Sequence, residues 1–258
     1  MSFLEEGFAI SRWSLPEALC EQACTHVESV VQRAIRTPRE AHFWTDFRGS
    51  ARSASVLFQE GTAKSPQTAI RYGHALHHAD PFFAALVAHQ AVQRSLEEAL
   101  GPRFSILQAA VVRKPPGLHE AQFGWHQDAW YLPSKGVLAL AFIALDPMTL
   151  ENGCLEVLPR AHLGARTHTL RLGAKGFAST SGRDPGPIDT QRKVALPMQR
   201  GTIALLHGHA FHASGPNRTA LPRRALIVHA LEHGAELDED AWLLAAKAEE
   251  TTRDPSSP

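Results

Sequence analysis

The stretch that most restricts the fold is Val137–Leu145, which reads Val-Leu-Ala-Leu-Ala-Phe-Ile-Ala-Leu without a single polar interruption. It is too short to span a bilayer as a helix, and it suits a strand buried on both faces. A strand of that kind calls for further strands beside it. The chain from Phe104 onward supplies candidates. Phe104–Lys114 reads as a strand that stops at Pro115-Pro116-Gly117, and Cys154–Leu158 follows the turn-forming Glu151-Asn152-Gly153. Val194–Pro197, Thr202–Leu206 and Arg224–Leu231 add further strands. Before Phe104 the pattern is helical. Ser14-Leu-Pro-Glu17 has the form of a capping box, and Leu19, Ala23, Val27, Val30, Val31 and Ala34 follow at helical spacing, which predicts a helix over Leu15–Ile35. Asp80-Pro81 opens a second helix, with Phe83, Leu86, Val87, Val92, Leu96 and Leu100 as its apolar face and Gly101-Pro102 as its end. The fold class expected is mainly β with flanking helices, a sandwich or barrel backed by helices. We expect one domain over 1–258, with a helix-rich part at 1–103, a strand-rich core at 104–233 and a tail at 234–258 that frays after Thr251.

Bulk properties exclude some partners. Lys plus Arg and Asp plus Glu balance at 26 each, so no global field favours nucleic acid or an acidic membrane. A chain of 258 residues can bury a sizeable core without a disulfide or metal staple. Its three cysteines, Cys20, Cys24 and Cys154, form an odd set without metal-finger spacing and read as reduced thiols. The start, MSFLEEGFAI, has neither a basic segment nor a long apolar run, so we expect no signal peptide, no membrane span and a cytoplasmic location. Leu163–Lys193 breaks the strand rhythm. It is rich in Gly, Ser, Thr and Pro and carries Arg166, Arg171, Lys175, Arg183, Arg192 and Lys193 against Asp184 and Asp189. A segment of this length without periodicity is a functional lid or a disordered loop.

The chemistry concentrates at His126-Gln127-Asp128, with His212 and Arg223 downstream. Fifteen histidines make any single one weak evidence, so position has to decide. On a strand, residues two apart share a face, so His126 and Asp128 can reach one cation. An imidazole with a carboxylate suits Fe(II) or Mn(II), whereas a structural zinc site would want thiolates or more histidines. Alone, the pair is a weak signal, and its bland reading is a surface hydrogen bond. The segment from Gly201 to Arg224 runs from an apolar strand into a histidine-rich loop, a turn and another apolar strand. That hairpin would bring His212 beside Arg223. His207, His209 and His212 compete for a third ligand position, and residue chemistry leaves the choice open.

From Val111 to Leu231 the sequence resembles the phytanoyl-CoA dioxygenase family of Fe(II)/2-oxoglutarate oxygenases. The resemblance rests on ordered motifs: Arg113-Lys-Pro-Pro-Gly, then Trp125-His-Gln-Asp-Ala-Trp-Tyr-Leu-Pro133, then Glu151-Asn-Gly-Cys-Leu-Glu-Val-Leu-Pro159. The last is His212-x-Ser214-Gly-x-Asn217-x-Thr219-x-x-x-Arg223. It implies a double-stranded β-helix, the jelly-roll or cupin-like core, with Fe(II) on His126, Asp128 and His212. It selects His212 over His207 and His209, and it assigns Arg223 rather than Arg224 to the distal carboxylate of 2-oxoglutarate. A guanidinium offers the paired donors that such a carboxylate accepts. Ser214 is implied at the same carboxylate, Gln127 and Phe142 near the co-substrate, and Arg71 or Tyr72 as a further contact.

The reaction implied consumes O2 and 2-oxoglutarate, yields succinate and CO2, and oxidises a small molecule. Relatives that halogenate lack the carboxylate ligand, so Asp128 favours hydroxylation. Trp125, Trp130 and Tyr131 would line the substrate cavity or pack the barrel. The basic loop would meet a carboxylate, phosphate or CoA-like group, or is simply solvated. One departure stands out. Arg160-Ala161 precedes His162 where the family often has Gly-Ser. The competing class is a cupin-like metal protein built on His207, His209 and His212, or a ligand sensor without turnover. Arg223 discriminates, since a cupin-type site has no need of a 2-oxoglutarate anchor.

Overall fold

The computed structural model describes residues 2–36, 55–58, 70–74, 76–116, 123–130, 132–164, 188–237 and 249–250. In chain order its helices are α1 (Phe3–Glu6), α2 (Glu17–Arg36), α3 (Leu76–Ala79), α4 (Pro81–Ala88) and α5 (Gln90–Leu100). The strands begin with β1 (Phe8–Ser14), β2 (Ser55–Phe58), β3 (Ile70–His74), β4 (Phe104–Lys114), β5 (Phe123–His126), β6 (Ser134–Lys135) and β7 (Leu138–Ala144). They continue with β8 (Leu155–Val157), β9 (Val194–Leu196), β10 (Thr202–His207), β11 (His212–Ser214), β12 (Arg223–Glu232), β13 (Glu236–Leu237) and β14 (Glu249–Glu250). Single 3-10 turns lie at Asp128–Trp130 and Ala161–Gly164.

The apolar run becomes β7, at the interior of the main sheet, whose order is β1-β10-β7-β12-β4-β3-β2 with β14 also on β4. A second sheet has the order β5-β11-β8-β9, and β6 pairs with β13. Every strand of β7 contact is antiparallel, and all seven of its residues are buried. Alternation divides them. Ala139, Ala141 and Ile143 face a layer of α2, α4 and α5 through Cys20, Ala23, Val27, Leu86, Val92 and Leu96. Leu140, Phe142 and Ala144 face the second sheet and pack with Leu155, Val157 and Leu196. Fully burying each of the larger aliphatic side chains contributes roughly 1.5–3 kcal/mol. The architecture is therefore mainly β with flanking helices, two antiparallel sheets forming a double-stranded β-helix.

The same alternation sorts β4 and β12. Ala109, Val111, Leu226, Val228 and Ala230 belong to the helix-facing core, while Ala225 and Ile227 face inward. Arg224 and Arg113 thus lie on the helix side. Arg224 meets Asp146 through Nε at 2.7 Å and Nη2 at 3.0 Å, and Arg113 grips Glu28 of α2 through Nε at 2.9 Å and Nη2 at 3.1 Å.

Several expectations need correction. β1 has no counterpart in the sequence reading. It lies at the edge of the main sheet, pairs with β10, and leaves Ile10 half exposed, so its burial signal is weak. Ser14 ends that strand opposite Thr202, and the Pro16 carbonyl accepts the first bonds of α2, so the capping box at Ser14 is not formed. The predicted helix after Asp80 is two helices. Asp80 caps the first through Phe82 N–H as expected, but the chain breaks at His89, whose ψ is 137° and whose ring caps Ala91 N–H. All three cysteines are buried and free, and burial pushes the Cys24 thiol up to about 12.

Candidate metal centre

β5 and β11 are neighbours in the second sheet, and their register sets His126 directly opposite His212. The ring centroids stand 4.2 Å apart. Asp128 reaches the same point by another route than a shared strand face. β5 ends at His126, and the chain turns into the 3-10 turn that begins at Asp128. Its Oδ1 lies 3.5 Å from His126 Nε2 and 3.7 Å from His212 Nε2. The ligand atoms of these three residues all fall within 4.8 Å of one another. No other such group of His, Cys, Asp or Glu occurs among the described residues.

Hydrogen bonds prepare both imidazoles. His126 Nδ1 donates to the Gly124 carbonyl at 2.7 Å, and His212 Nδ1 donates to the Ala210 carbonyl at 3.0 Å. A carbonyl only accepts, so each Nδ1 carries the proton and each Nε2 presents a lone pair towards the carboxylate. Two lone pairs and an anionic oxygen converging in a buried position repel one another. A divalent cation relieves that repulsion, so the donor set fits a metal of the oxygen- and imidazole-preferring class. Burial alone would raise the Asp128 carboxyl, but positive charge on the surrounding rings of His212, His229 and His126, with the hydrogen bond from His229, outweighs it and holds the group well below the usual carboxylate range; where those rings are neutral, a bound cation would supply that charge.

His207 and His209 stand elsewhere. His207 is the last residue of β10, its ring is 5.0 Å from that of His162, and its Nδ1 accepts from His209 N–H at 3.1 Å. Burial pushes His207 down to about 4, and His162 and His209 add to the effect. His162 is buried and donates from Nε2 to the Leu4 carbonyl at 2.9 Å. Arg160 has φ of 63°, the left-handed region in which glycine is at ease, and this gives a physical reason for the small residue usual there.

Arg223 is 1 % exposed and lies on the inward face of β12. Its guanidinium carbon is 5.9 Å from the Phe142 ring centroid, and Nη2 donates to the Gly153 carbonyl. Ser214 is buried two residues after His212 on β11. Asn217 holds the connection to β12. It donates to the Lys114 and Leu221 carbonyls at 3.0 and 2.7 Å and accepts from Thr219 N–H and Oγ1. Gln127 is fully buried with both ends of its amide engaged, donating to the His209 carbonyl and accepting from Trp130 Nε1 at 2.7 Å.

Trp130 packs edge-on against Phe211, with Leu158 and the partly buried Trp125 alongside. Tyr131 and the side chains of Arg71 and Tyr72 lie outside the described residues, as do Arg166, Arg171, Lys175 and Arg183. Of the remaining cations of that loop, Lys193 pairs with Glu156 at 2.8 Å.

Three buried polar residues went unnoticed in the sequence. Lys114 is opposite Arg223 in register and donates to the carbonyls of Ser214 and Gly215. His229 and Gln108 form a second inward cross-strand pair on the same two strands, and His229 touches Asp128. The available signal was strand alternation from Arg223, which puts His229 on the same face.

The phytanoyl-CoA dioxygenase (PhyH) family model matches residues 3–225. The chain belongs to the phytanoyl-CoA dioxygenase family. A relative from Bos taurus, phytanoyl-CoA dioxygenase domain-containing protein 1, is 30% identical over 270 residues, covering 93% of this chain and 92% of its own. Among solved structures, the non-heme alpha ketoglutarate dependent carbocyclase SnoK from nogalamycin biosynthesis matches with a TM-score of 0.66 at 19% identity. That match covers 91% of this chain and 83% of its own. The epimerase SnoN, solved with Fe3+, alpha ketoglutarate and nogalamycin RO, matches with a TM-score of 0.64 at 18% identity over 98% and 90% of the two chains. At that identity the two structures bear on the fold alone. Among the described residues, no helix is long and apolar enough to cross a membrane.

Proposed function

We propose that this protein is a non-haem Fe(II)/2-oxoglutarate-dependent dioxygenase that hydroxylates an aliphatic C–H bond of a small molecule. The observation that carries the reading is the convergence of His126 Nε2, His212 Nε2 and Asp128 Oδ1, with both Nδ1 protons committed to carbonyls. Two imidazoles and one carboxylate on one side of a metal leave the other side open for co-substrate and oxygen. Bound there, Fe(II) with 2-oxoglutarate supplies oxidation of an unactivated C–H bond by O2, with succinate and CO2 as the co-products.

The chain's own part is binding and orientation. His126, Asp128 and His212 hold the metal. Arg223, which lies over the Phe142 ring and donates through Nη2 to the Gly153 carbonyl, would anchor the distal carboxylate of 2-oxoglutarate. Ser214 sits next along β11 for the same carboxylate, and Lys114 fixes that strand's exit through two carbonyls. Gln127 braces the His209 backbone and Trp130 beside the metal. The aromatic group of Trp125, Trp130 and Phe211 keeps water from the reacting bond. The solved relatives named as a carbocyclase and an epimerase perform other outcomes on the same fold. Retention of Asp128 supports hydroxylation here over halogenation.

The test is anaerobic. Fe(II) and then 2-oxoglutarate are added to metal-free protein, and the weak visible charge-transfer band of the chelate is followed, with His126→Ala as control. A band that requires His126 supports the reading and opens a screen of small molecules for substrate-stimulated succinate release. Metal uptake without a band refutes it in favour of a cupin-like metal protein.

A further inference from the structure

We propose that His229, held by Gln108, is a positioning residue that keeps Asp128 bonded to the metal through one oxygen only. The inference rests on the metal-centre reading above and adds to it a control on coordination number.

The two carboxylate oxygens of Asp128 have different surroundings. Oδ1 faces His126 and His212. Oδ2 lies 3.0 Å from His229 Nε2. His229 is 4 % exposed, and on its far side Nδ1 is 3.1 Å from Gln108 Nε2, which belongs to a side chain 5 % exposed. The proton positions follow from the chemistry of the chain of contacts. An amide nitrogen only donates, so Nδ1 accepts and Nε2 carries the hydrogen that meets Oδ2. Turning the Gln108 amide over would demand a proton on Nδ1. In the neutral ring that would set a bare Nε2 lone pair against the carboxylate at 3.0 Å. The observed orientation leaves Gln108 Oε1 buried without a hydrogen-bond partner among the described residues. A buried acceptor left unmet is costly, and here the cost falls on the residue whose donor sets the tautomer of His229.

The backbone is shaped for this contact. Gln108 and His229 are directly opposite across β4 and β12, and the next pair is Ile106 with Ala230. β4 therefore carries one residue more than β12 at this point, Leu107, which packs with Ala129, Leu132, Leu138 and Leu231. Such a bulge bends the strand and re-aims the side chains beside it. It lies where β12 passes under the turn that carries Asp128, in the cluster that holds Ala129.

A carboxylate free to swing can bind a cation through both oxygens and occupy a position that co-substrate and oxygen need. A charge-assisted hydrogen bond on Oδ2 opposes that swing and orients Oδ1. A residue that merely filled space at position 229 would do neither.

Three variants separate the two roles. His229→Leu removes the donor and fills most of the volume, His229→Gln returns an N–H near Nε2, and Gln108→Leu removes the donor that sets the tautomer. Each is measured for metal-free thermal stability, for anaerobic affinity towards Fe(II) and Mn(II), and for the energy of the charge-transfer band with 2-oxoglutarate. We expect His229→Leu to lose about 10- to 100-fold in affinity for either ion and to shift the band. His229→Gln should recover most of both, and Gln108→Leu should show a smaller loss in the same direction. Wild-type affinity and an unshifted band in folded His229→Leu overturn the proposal, as does an equal loss in His229→Gln and His229→Leu. If metal affinity depends on His229 but wild type gives no band with 2-oxoglutarate, the positioning role stands and the oxygenase reading falls. Wild-type protein that takes up neither ion overturns both.

Discussion

Arg223 and Arg224 are adjacent in sequence and opposite in position, which permits a paired test of the strand reading. Arg224 lies under α2, its side chain 13% exposed, in a two-point ion pair with Asp146, whose side chain is 10% exposed. Its Nη1 also reaches the Cys24 carbonyl at 3.2 Å. Breaking a buried pair by removing one partner costs about 3–5 kcal/mol. Here Asp146 keeps the Arg224 N–H on Oδ2 at 2.9 Å and Arg200 at 3.9 Å, which lowers the expectation for Arg224→Met to about 2–3 kcal/mol. In a domain of this size that is a fall in Tm of about 4–12 °C. The same change should leave 2-oxoglutarate affinity within about threefold of wild type, since it removes less than roughly 0.7 kcal/mol from that site.

Arg223→Met should do the reverse. Loss of one partner from a buried, hydrogen-bonded charge pair removes about 2–5 kcal/mol of binding, so affinity for 2-oxoglutarate falls by roughly 30-fold or more. Methionine keeps the aliphatic volume, and the stability change should stay below that of Arg224→Met. Thermal unfolding of metal-free protein and titration of the Mn(II)-loaded protein with 2-oxoglutarate measure the two effects separately. If Arg224→Met weakens 2-oxoglutarate as strongly as Arg223→Met, the assignment of faces on β12 is wrong.

Two further substitutions test local geometry. Gly153 has φ of 77°, and a Cβ there would overlap the Gly215 carbonyl oxygen, while its own carbonyl accepts from Arg223. Gly153→Ala should therefore destabilise by about 2–4 kcal/mol and weaken 2-oxoglutarate binding as well. Wild-type unfolding and affinity would refute this. Arg160 stands at φ of 63°, and among the described residues its side chain has a single 4.0 Å ion pair with Glu6 to offset that strain. The strain of about 1–2 kcal/mol exceeds the chain entropy that glycine costs, so Arg160→Gly should leave stability unchanged or raise it by up to about 1 kcal/mol. A loss of more than about 1 kcal/mol on chemical unfolding would show that the side chain makes a contact the strain argument omits.

What the sequence made legible depended on how local the signal was. β7 was readable because a strand covered on both faces is apolar throughout, and β10 and β12 because each carries an apolar run, Ile203–Leu206 and Ala225–Val228, whereas β1, an edge strand with Ile10 half exposed, carries no such signature. The break at His89 lacks proline or glycine, and it becomes visible only once the ring is seen to cap the next helix. His126 and Asp128 were paired by strand logic, yet the strand stops between them, and they converge because a turn brings Asp128 round.

Residue chemistry could not rank His207, His209 and His212. Register does so, because of the three His212 is the one set directly across from His126. The inward face of β12 offers a route that would have gone further. Once Arg223 is taken as inward, every second residue follows it inside, and a histidine among apolar neighbours at position 229 must find a hydrogen-bond partner there. Its partner Asp128 is a hundred residues away in sequence, so alternation can announce that a buried polar contact exists while only the folded chain can say with whom.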